Sequence, residues 1–391
     1  MPNGTMPNGR AENILMVSAD RSVVAGEKGP FYYTLEAFSR HWDRVDVIGT
    51  RPEKRVHETV LGNVHLHHPD GGKLRQAAFI AATGRRLAAE RPYTVITSHD
   101  YNPFYNGVGA WRVARASGTP WVAEIHHVPG HPVPATLRER VDRRVTRPWV
   151  RWAAARAAGI RVVNGVELPA LLASWGVPQE RIHVLPSLYL DLDVFRPDPP
   201  EPITCDVLMV GRLVPNKGIP SVLQALARLR KRGMTELRVR ILGRGPEKPR
   251  LQALIAKGGL QRNVEFIDWV PDAPALAKVY RGARVLVCAS TSEGGPRVVA
   301  EAMACGTPVI GTHVGIVPEI IQHGRNGLLY DGRVPSLALA LQRLLTDASQ
   351  EQALRANLPG DLSRFERQAV IARLADGLKR VAAEARLRQG R

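Results

Sequence analysis

Short apolar runs alternate with longer amphipathic stretches along the first half of the chain. The runs predict strands at residues 14–18, 45–48, 64–67, 94–98, 121–125, 160–163 and 182–185. Amphipathic patterns predict helices between several of them, among these residues 73–90 and 137–158. Strands that are apolar at nearly every position are typical of a parallel sheet with helices on both faces.

The same rhythm restarts after residues 196–202, which contain four prolines and can continue neither a helix nor a central strand. Further strands are predicted at residues 206–210, 237–242, 264–267, 285–289 and 308–310, and helices at 219–230, 297–304, 337–345 and 364–386. The pattern predicts an α/β fold with two Rossmann-like, doubly wound domains. We assign residues 1–11 to a flexible tail and residues 12–198 to the first domain. The second domain comprises residues 199–365, and residues 366–391 are assigned to a C-terminal helix that returns to the first domain.

Composition narrows the class of protein. The chain has 391 residues, 44% of them hydrophobic, which is enough apolar material for two cores. No apolar run is long enough to span a bilayer or to form a signal peptide, so we expect a cytoplasmic protein. Cysteines 205, 288 and 305 fit no zinc or CxxC spacing and are expected to be core thiols. The net charge of +18 fits nucleic acid, an anionic membrane, anionic substrates or simply many solvated arginines.

The most informative segment is residues 292–310, which follow an apolar strand. Gly294 and Gly295 let the backbone approach a ligand, and a proline then starts a helix whose free N–H groups favour anions. Glu293 lies before this helix and Glu301 about one turn inside it, so one ligand could contact both. Glu301 could accept hydrogen bonds from the vicinal hydroxyls of a ribose. By themselves, two such glutamates are more often surface charges.

A second segment, residues 210–218, follows the first strand of the second half. Gly211 frees the turn, and Arg212 and Lys217 lie on either side of it. A departing diphosphate needs fixed positive charge, which arginine and lysine supply when no metal does. The alternative is a basic helix cap. The turn at residues 242–246 fits either a phosphate loop or plain packing.

These two segments resemble the Glu-x7-Glu signature and the Gly-Arg…Lys-Gly element of glycosyltransferase family 4, the retaining GT-B transferases. The likeness is dense from residue 206 to 330. It implies the GT-B fold, with a cleft between two domains. It also implies retaining transfer of a sugar from a nucleotide diphosphate sugar, such as a UDP- or GDP-linked one, to an acceptor hydroxyl. The expected setting is glycan, glycolipid or glycoconjugate biosynthesis, with no metal and no cofactor.

The resemblance also implies roles for single residues. Glu301 would hold the ribose, Glu293 would lie beside the transferred sugar, and Arg212 and Lys217 would grip the diphosphate. The remaining expected donor-binding residues are Gly211, Gly294, Gly295, Arg297, Val298 and Val270.

The first half matches the family more loosely. His126 stands at the end of a strand, where the family has a histidine that contacts the transferred sugar, and His127 replaces the usual aspartate. Gly29 is the single match to a Gly-Gly pair on the acceptor side, which leaves the acceptor open. Asp191 and Asp193 have the spacing of a metal-binding pair, but their segment fits the family's approach to the linker.

Two hypotheses on partners complete the prediction. Residues 137–161 contain eight arginines with Trp149 and Trp152, and residues 73–91 form a second basic stretch. Both could lie on the anionic inner face of a membrane, or be ordinary surface helices with the tryptophans packed on the sheet.

The predicted partners are a nucleotide sugar and an acceptor glycan, lipid-linked glycan or small molecule. A sugar-nucleotide epimerase or a phosphorylase on the same fold is the alternative. A nucleic-acid-binding protein is disfavoured because no such motif is present, so we expect no nucleic acid partner.

Overall fold

The computed structural model describes residues 11–358, residue 360 and residues 362–390. Within them, two sheets form. The first has eight strands in the order β3-β4-β2-β1-β5-β6-β7-β8, all parallel except β3, and the second has six parallel strands in the order β11-β10-β9-β12-β13-β14. The predicted tail falls almost wholly outside the described residues.

The first domain alternates strands and helices from its first strand onward. Its elements are β1 Asn13–Val17, α1 Pro30–Phe38, β2 Arg44–Ile48, β3 Thr59–Val60, β4 Val64–His67, α2 Gln76–Glu90, β5 Val95–His99, α3 Tyr105–Ser117, β6 Trp121–Ile125, α4 Leu137–Ala154, β7 Gly159–Val162, α5 Glu167–Ser174 and β8 Ile182–Val184.

The second domain repeats the alternation and ends in a long helix. Its elements are β9 Cys205–Val210, α6 Ile219–Lys231, β10 Val239–Leu242, α7 Lys248–Lys257, β11 Val264–Ile267, α8 Ala273–Arg281, β12 Ala283–Cys288, α9 Arg297–Ala304, β13 Val309–Thr312, α10 Val317–Ile320, β14 Leu328–Tyr330, α11 Val334–Thr346, α12 Ala348–Ala356 and α13 Arg367–Gln389.

The predicted strands and the observed ones agree because the central strands of both sheets, such as β6, β7 and β9, are buried on both faces. Two strands were missed. β3 is a two-residue antiparallel edge strand, and β14 is a three-residue strand, so neither is long enough to show a period. The helix predicted at 137–158 ends at Ala154, and the polar cap at its start is a Thr136 hydroxyl that accepts from the Glu139 amide over 3.2 Å.

The chain crosses between the domains near its C-terminus. Helix α13 packs against the core of the first sheet through side chains such as Ile371 and Leu378. Before the proline-rich linker, Leu190 and Phe195 already pack in the core of the second domain. The domain limits given above remain predictions, since the two cores share segments at both crossings.

The carboxyl ends of the two sets of strands face each other across a cleft. Glu167 of α5 accepts from the Gly315 amide over 2.7 Å, and Glu319 of α10 accepts from the Gly165 amide over 2.8 Å. A glutamate of each domain thus binds a backbone amide in a loop of the other domain. Among the described residues, no helix is long and apolar enough to cross a bilayer.

Candidate active site

Two glycines shape the loop that follows β9. Gly211 and Gly218 have φ of 142° and 64°, conformations that residues with a Cβ rarely adopt. A Cβ on Gly218 would also lie 2.0 Å from the Ala289 carbonyl oxygen, just beyond β12. The loop can therefore lie directly against the end of β12, which brings Lys217 to the next loop along the sheet.

The turn after β10 packs on this loop, backbone to backbone. A Cβ on Gly243 would lie 1.9 Å from the Gly211 carbonyl oxygen, and one on Gly245 would lie 2.3 Å from that of Leu213. The Leu213 amide donates to the Arg244 carbonyl oxygen over 2.8 Å. The glycines of this turn are thus required for packing, which is one of the two interpretations that the sequence left open.

The loop after β12 carries Glu293 and contacts the first domain. A Cβ on Gly294 would lie 1.8 Å from the carbonyl oxygen of His126, which excludes any larger residue. The Asn164 amide donates to the Gly294 carbonyl oxygen over 3.1 Å, and the Ser292 hydroxyl accepts a first-domain backbone amide over 3.1 Å. His126 and the glutamate loop, predicted from separate halves of the sequence, therefore meet in the cleft.

Lys217 and Glu293 form an ion pair of 2.5 Å between Nζ and Oε1. Both side chains are partly shielded, with 17% and 19% exposed, so the pair is screened less than a surface pair. Arg212 is exposed, and it lines one small cavity together with Lys217, Gly211 and Val298. Four of the expected donor-binding residues thus surround the same space.

Glu301 is held inside the second domain. Its side chain is 8% exposed and accepts a 2.8 Å hydrogen bond from the hydroxyl of Tyr280, which is fully buried. Burial raises the pKa of Glu301, while Arg297 and the Tyr280 hydroxyl oppose that rise. The glutamate is therefore not the surface charge that a glutamate pair alone would suggest.

Arg297 links the start of α9 to the first domain. Its Nε lies 3.5 Å from Glu301, and its guanidinium lies over the Tyr189 ring at 4.9 Å. The Tyr189 hydroxyl donates to the Pro30 carbonyl oxygen over 3.0 Å, at the start of α1 next to Gly29. The acceptor-side loop and the α9 start are therefore joined through one tyrosine.

His126 belongs to a charged network of three strand ends. Its Nε2 lies 3.3 Å from Glu124 Oε2, and its ring stacks on His99 with centroids 4.1 Å apart. Arg161 pairs with Glu124 over 2.9 Å, and both side chains are less than a tenth exposed. Burial by itself would raise the pKa of Glu124, but Arg161 and His126 outweigh it and hold that pKa below its usual range.

The neighbouring groups of the first domain are kept neutral. Burial and the neighbouring His126 together lower the pKa of His99 to about 3. Burial also raises the pKa of Asp100 well above its usual range, although the nearby Ser98 and Trp149 side chains oppose the rise. His127 faces the cleft, where burial and Arg212 lower its pKa and Glu293 raises it. At neutral pH, Glu124 and Arg161 are the fixed charges of this side.

Other expected residues are less engaged. Gly295 lies beside Leu188, and Val270 lies half-buried in the loop after β11. Asp191 accepts from the Asp193 amide over 3.2 Å, which forms a turn. Among the described residues, no three His, Cys, Asp or Glu side chains gather as metal ligands.

Four residues of the site were not predicted: Tyr280, Ser292, Glu124 and Arg161. Ser292 stands next to Glu293, so its contact across the cleft had no separate signal. Glu124 and Arg161 are charges inside otherwise apolar strands, which is a signal for a buried pair. Their partnership depends on strand order. Tyr280 carries no sequence signal that distinguishes it from a core aromatic residue.

Two family models match this chain: glycosyl transferases group 1 over residues 202–359, and glycosyl transferase 4-like domain over residues 31–187. A D-inositol 3-phosphate glycosyltransferase of Corynebacterium jeikeium is 30% identical over 353 residues, which is 83% of this chain and 81% of that protein. The chain belongs to the group 1 glycosyl transferases. The family predicted from the two motifs is thereby confirmed, and the enzyme is a glycosyltransferase.

Other proteins resemble this glycosyltransferase in sequence, and solved structures of others resemble it in fold. The alpha-D-kanosaminyltransferase of Streptomyces kanamyceticus is 28% identical over 63% of this chain and 66% of its own length. Sucrose-phosphate synthase from Thermosynechococcus elongatus superposes with a TM-score of 0.78 at 20% identity, over 95% of this chain and all of that one. Anabaena HepE, solved with UDP and glucose, gives 0.73 at 19% over 94% of this chain and all of its own. The GT-B prediction is confirmed.

Proposed function

We propose that this glycosyltransferase transfers a sugar from a nucleotide diphosphate sugar to an acceptor hydroxyl with retention of anomeric configuration. The acceptor would be a glycan, a lipid-linked glycan or a small molecule. The enzyme would act in the cytoplasm without a metal or other cofactor, peripherally on the inner face of the membrane.

One observation carries this proposal. The Lys217–Glu293 pair and the Tyr280–Glu301 pair lie at the two ends of the segment that starts α9, beside the exposed Arg212. Cations, free helix N–H groups and a buried carboxylate in this order match a diphosphate followed by a ribose. Glu301 accepts the hydrogen bond from Tyr280 through Oε2, while its Oε1 lies 3.5 Å from Arg297 Nε and would receive the ribose hydroxyls when the donor binds.

The reaction can be written for these residues. The acceptor oxygen forms a bond to the anomeric carbon on the face that the leaving group occupies, and the bond from that carbon to the diphosphate oxygen breaks. The departing phosphate oxygen takes the acceptor proton. Arg212 and Lys217 offset the negative charge that develops on the diphosphate. Glu293 and His126 orient the sugar between them.

Binding of the donor would rearrange the ion pair between Lys217 and Glu293, and so complete the site. When a diphosphate binds, the ammonium exchanges part of its contact with Glu293 for phosphate oxygens. Glu293 is then available for sugar hydroxyls. Contacts of the Ser292 loop with the first domain close the cleft at the same place and limit hydrolysis by water.

A thermal-shift screen of sugar nucleotides tests the donor. UDP sugars come first in the panel, because HepE was solved with UDP and glucose. We expect one nucleotide class to raise the Tm of the wild type. Glu301→Gln should lose most of that shift, and Tyr280→Phe should lose part of it, because Glu301 is then no longer oriented.

Glu265→Gln is the matched control, since Glu265 lies on the exposed surface of the same domain and pairs with Arg240. It should keep the full shift. Equal shifts in the wild type and in Glu301→Gln would contradict our placement of the ribose. The anomeric configuration of the product, read by NMR, would decide between retention and inversion.

A further inference from the structure

Helix α4 has an unusual outer face. Leu137, Val141 and Val145 recur every four residues, so they form one row along the helix, and they are 75%, 49% and 41% exposed. Val133, in the loop just before the helix, is 56% exposed. A helix on the surface of an α/β domain ordinarily has polar residues on this side.

A row of arginines runs beside the apolar row. All of its members are exposed: Arg140, Arg144, Arg147 and Arg151. The spacing of four, three and four residues places them along one stripe of the helix. We call these four arginines, together with Leu137, Val141 and Val145, the α4 outer face.

The acidic residues of α4 do not neutralise this face. Glu139 accepts from the Ala135 amide over 2.6 Å, and Asp142 accepts from the Asn102 amide over 2.6 Å. Both carboxylates are half-buried and turned toward the protein. The arginine stripe therefore keeps its charge for an outside partner.

The tryptophans of this helix are not part of the face, contrary to the idea that they would anchor it in lipid. Trp149 is 8% exposed and stacks on Phe104 with centroids 4.8 Å apart. Trp152 stacks on Trp149 at the same distance. They pack on the domain core, as the alternative interpretation of the sequence had it.

The second basic stretch lacks this combination. On α2, Arg86 pairs with Glu90 four residues later over 2.7 Å, and alanines such as Ala78 and Ala82 occupy much of the exposed side. Leu74, just before α2, is 88% exposed, but the exposed positions four and eight residues later are the small side chains of Ala78 and Ala82, and α2 itself has only two arginines, Arg85 and Arg86. Of these two helices, only α4 therefore carries a concentrated positive charge that can bind an outside partner.

We propose that the α4 outer face docks the enzyme on an anionic lipid bilayer. Leucine and valine side chains enter the headgroup boundary, and the four arginines contact lipid phosphates. Charge complementarity together with the apolar row favours a bilayer over a purely polar polyanion, which would need no apolar row. The enzyme then lies with α4 against the lipid headgroups.

The position of α4 connects docking to catalysis. The loop between His126 and α4 contacts the glutamate loop of the second domain, where the Val133 amide donates to the Thr291 carbonyl oxygen over 3.2 Å. The docked face thus lies next to the mouth of the cleft. This rests on the proposed function: an acceptor hydroxyl borne by a membrane amphiphile would reach the cleft from this side.

Co-sedimentation of the full chain with phosphatidylcholine vesicles, with and without phosphatidylglycerol, tests the proposal. We expect binding to the anionic vesicles only, weakening with salt. Replacing Arg140, Arg144, Arg147 and Arg151 by glutamine should lower partitioning about a thousandfold. Replacing Leu137, Val141 and Val145 by serine should lower it about tenfold.

The matched control removes the same charge elsewhere, by replacing Arg228, Lys231, Arg232 and Lys257 by glutamine on the exposed surface of the second domain. It should bind vesicles as the wild type does. Equal losses in the two charge variants, no vesicle binding by the wild type, or a serine variant that binds fully would each overturn the proposal. Duplex DNA bound by the wild type as tightly as the vesicles, and lost in the same variants, would do so too.

The donor-induced rise in Tm, measured without vesicles, separates this proposal from the proposed function. The α4 variants should keep that rise, since none of the replaced residues lies in the cleft. A wild type that binds vesicles but shows no rise with any sugar nucleotide would contradict the proposed function alone.

Discussion

The two sides of the cleft assemble their chemistry differently. In the second domain, Lys217, Glu293 and Glu301 come from two short contiguous segments, each starting where a strand ends. In the first domain, His126 is held by Glu124 of its own strand, Arg161 of the next strand and His99 of the previous one. The first arrangement is local in sequence and the second depends on strand order.

The difference has a physical origin. A diphosphate can be held by backbone N–H groups and two cations, and a glycine-rich loop followed by a helix supplies these within a few residues. A histidine that must keep one ring orientation needs neighbours on several sides, and those come from adjacent strands. We therefore expect changes in the second domain to affect donor binding, and changes in the first to affect stability as well.

The largest effect is expected from the donor side. Lys217→Ala removes the ammonium that offsets charge on the leaving diphosphate, so kcat/KM should fall about a thousandfold. Steady-state kinetics with the donor found by thermal shift measures this. Lys231→Ala, at the exposed far end of α6, should leave kcat/KM unchanged. A fall in kcat/KM of less than tenfold for Lys217→Ala would contradict the difference that we draw between the two sides of the cleft.

The next effect concerns the first domain. Glu124→Gln leaves Arg161 buried without its counter-charge, which should lower the free energy of unfolding by about 3 kcal/mol. Denaturant unfolding measures the loss. Glu90→Gln breaks the exposed pair with Arg86 and should cost less than about 1 kcal/mol. Should the two variants be equally stable, the charged network would have no structural role.

The smallest effect lies where the domains meet. Burial and the nearby Glu319 raise the pKa of Glu167 to about 7, while the bond from the Gly315 amide opposes the rise. Because the folded pKa is raised, protonation stabilises the folded protein, and this contribution is lost as pH rises from about 4.5 through 7. The wild type should thus lose about 1–2 kcal/mol relative to Glu167→Gln over this range, allowing for solvent screening.

Unfolding at a series of pH values, with the two proteins compared at each pH, measures this change. The difference should be constant above pH 8, where Glu167 is ionised in both states. A difference that does not vary with pH would show that Glu167 keeps its ordinary pKa at the domain junction.

Much of the donor side could be predicted from the sequence. The Glu-x7-Glu spacing, the prolines that begin helices and the continuous apolar strands are local features, so they specify the two-domain α/β fold and the segment 292–310 without tertiary information. The same holds for the arginine excess of α4, although not for the way its tryptophans pack, since burial of a ring depends on its neighbours in space.

What only the tertiary structure decided is which distant side chains share a partner. Sequence spacing determined that Lys217, Glu293 and Glu301 would follow strands, because backbone geometry is local. It could not place Tyr280 under Glu301, Arg161 against Glu124 or the Gly294 backbone against His126, because each contact depends on how strands order and domains approach. Local conformational propensity acts over a few residues. These contacts join residues that are far apart along the chain, so they stabilise the protein only once the sheets have formed.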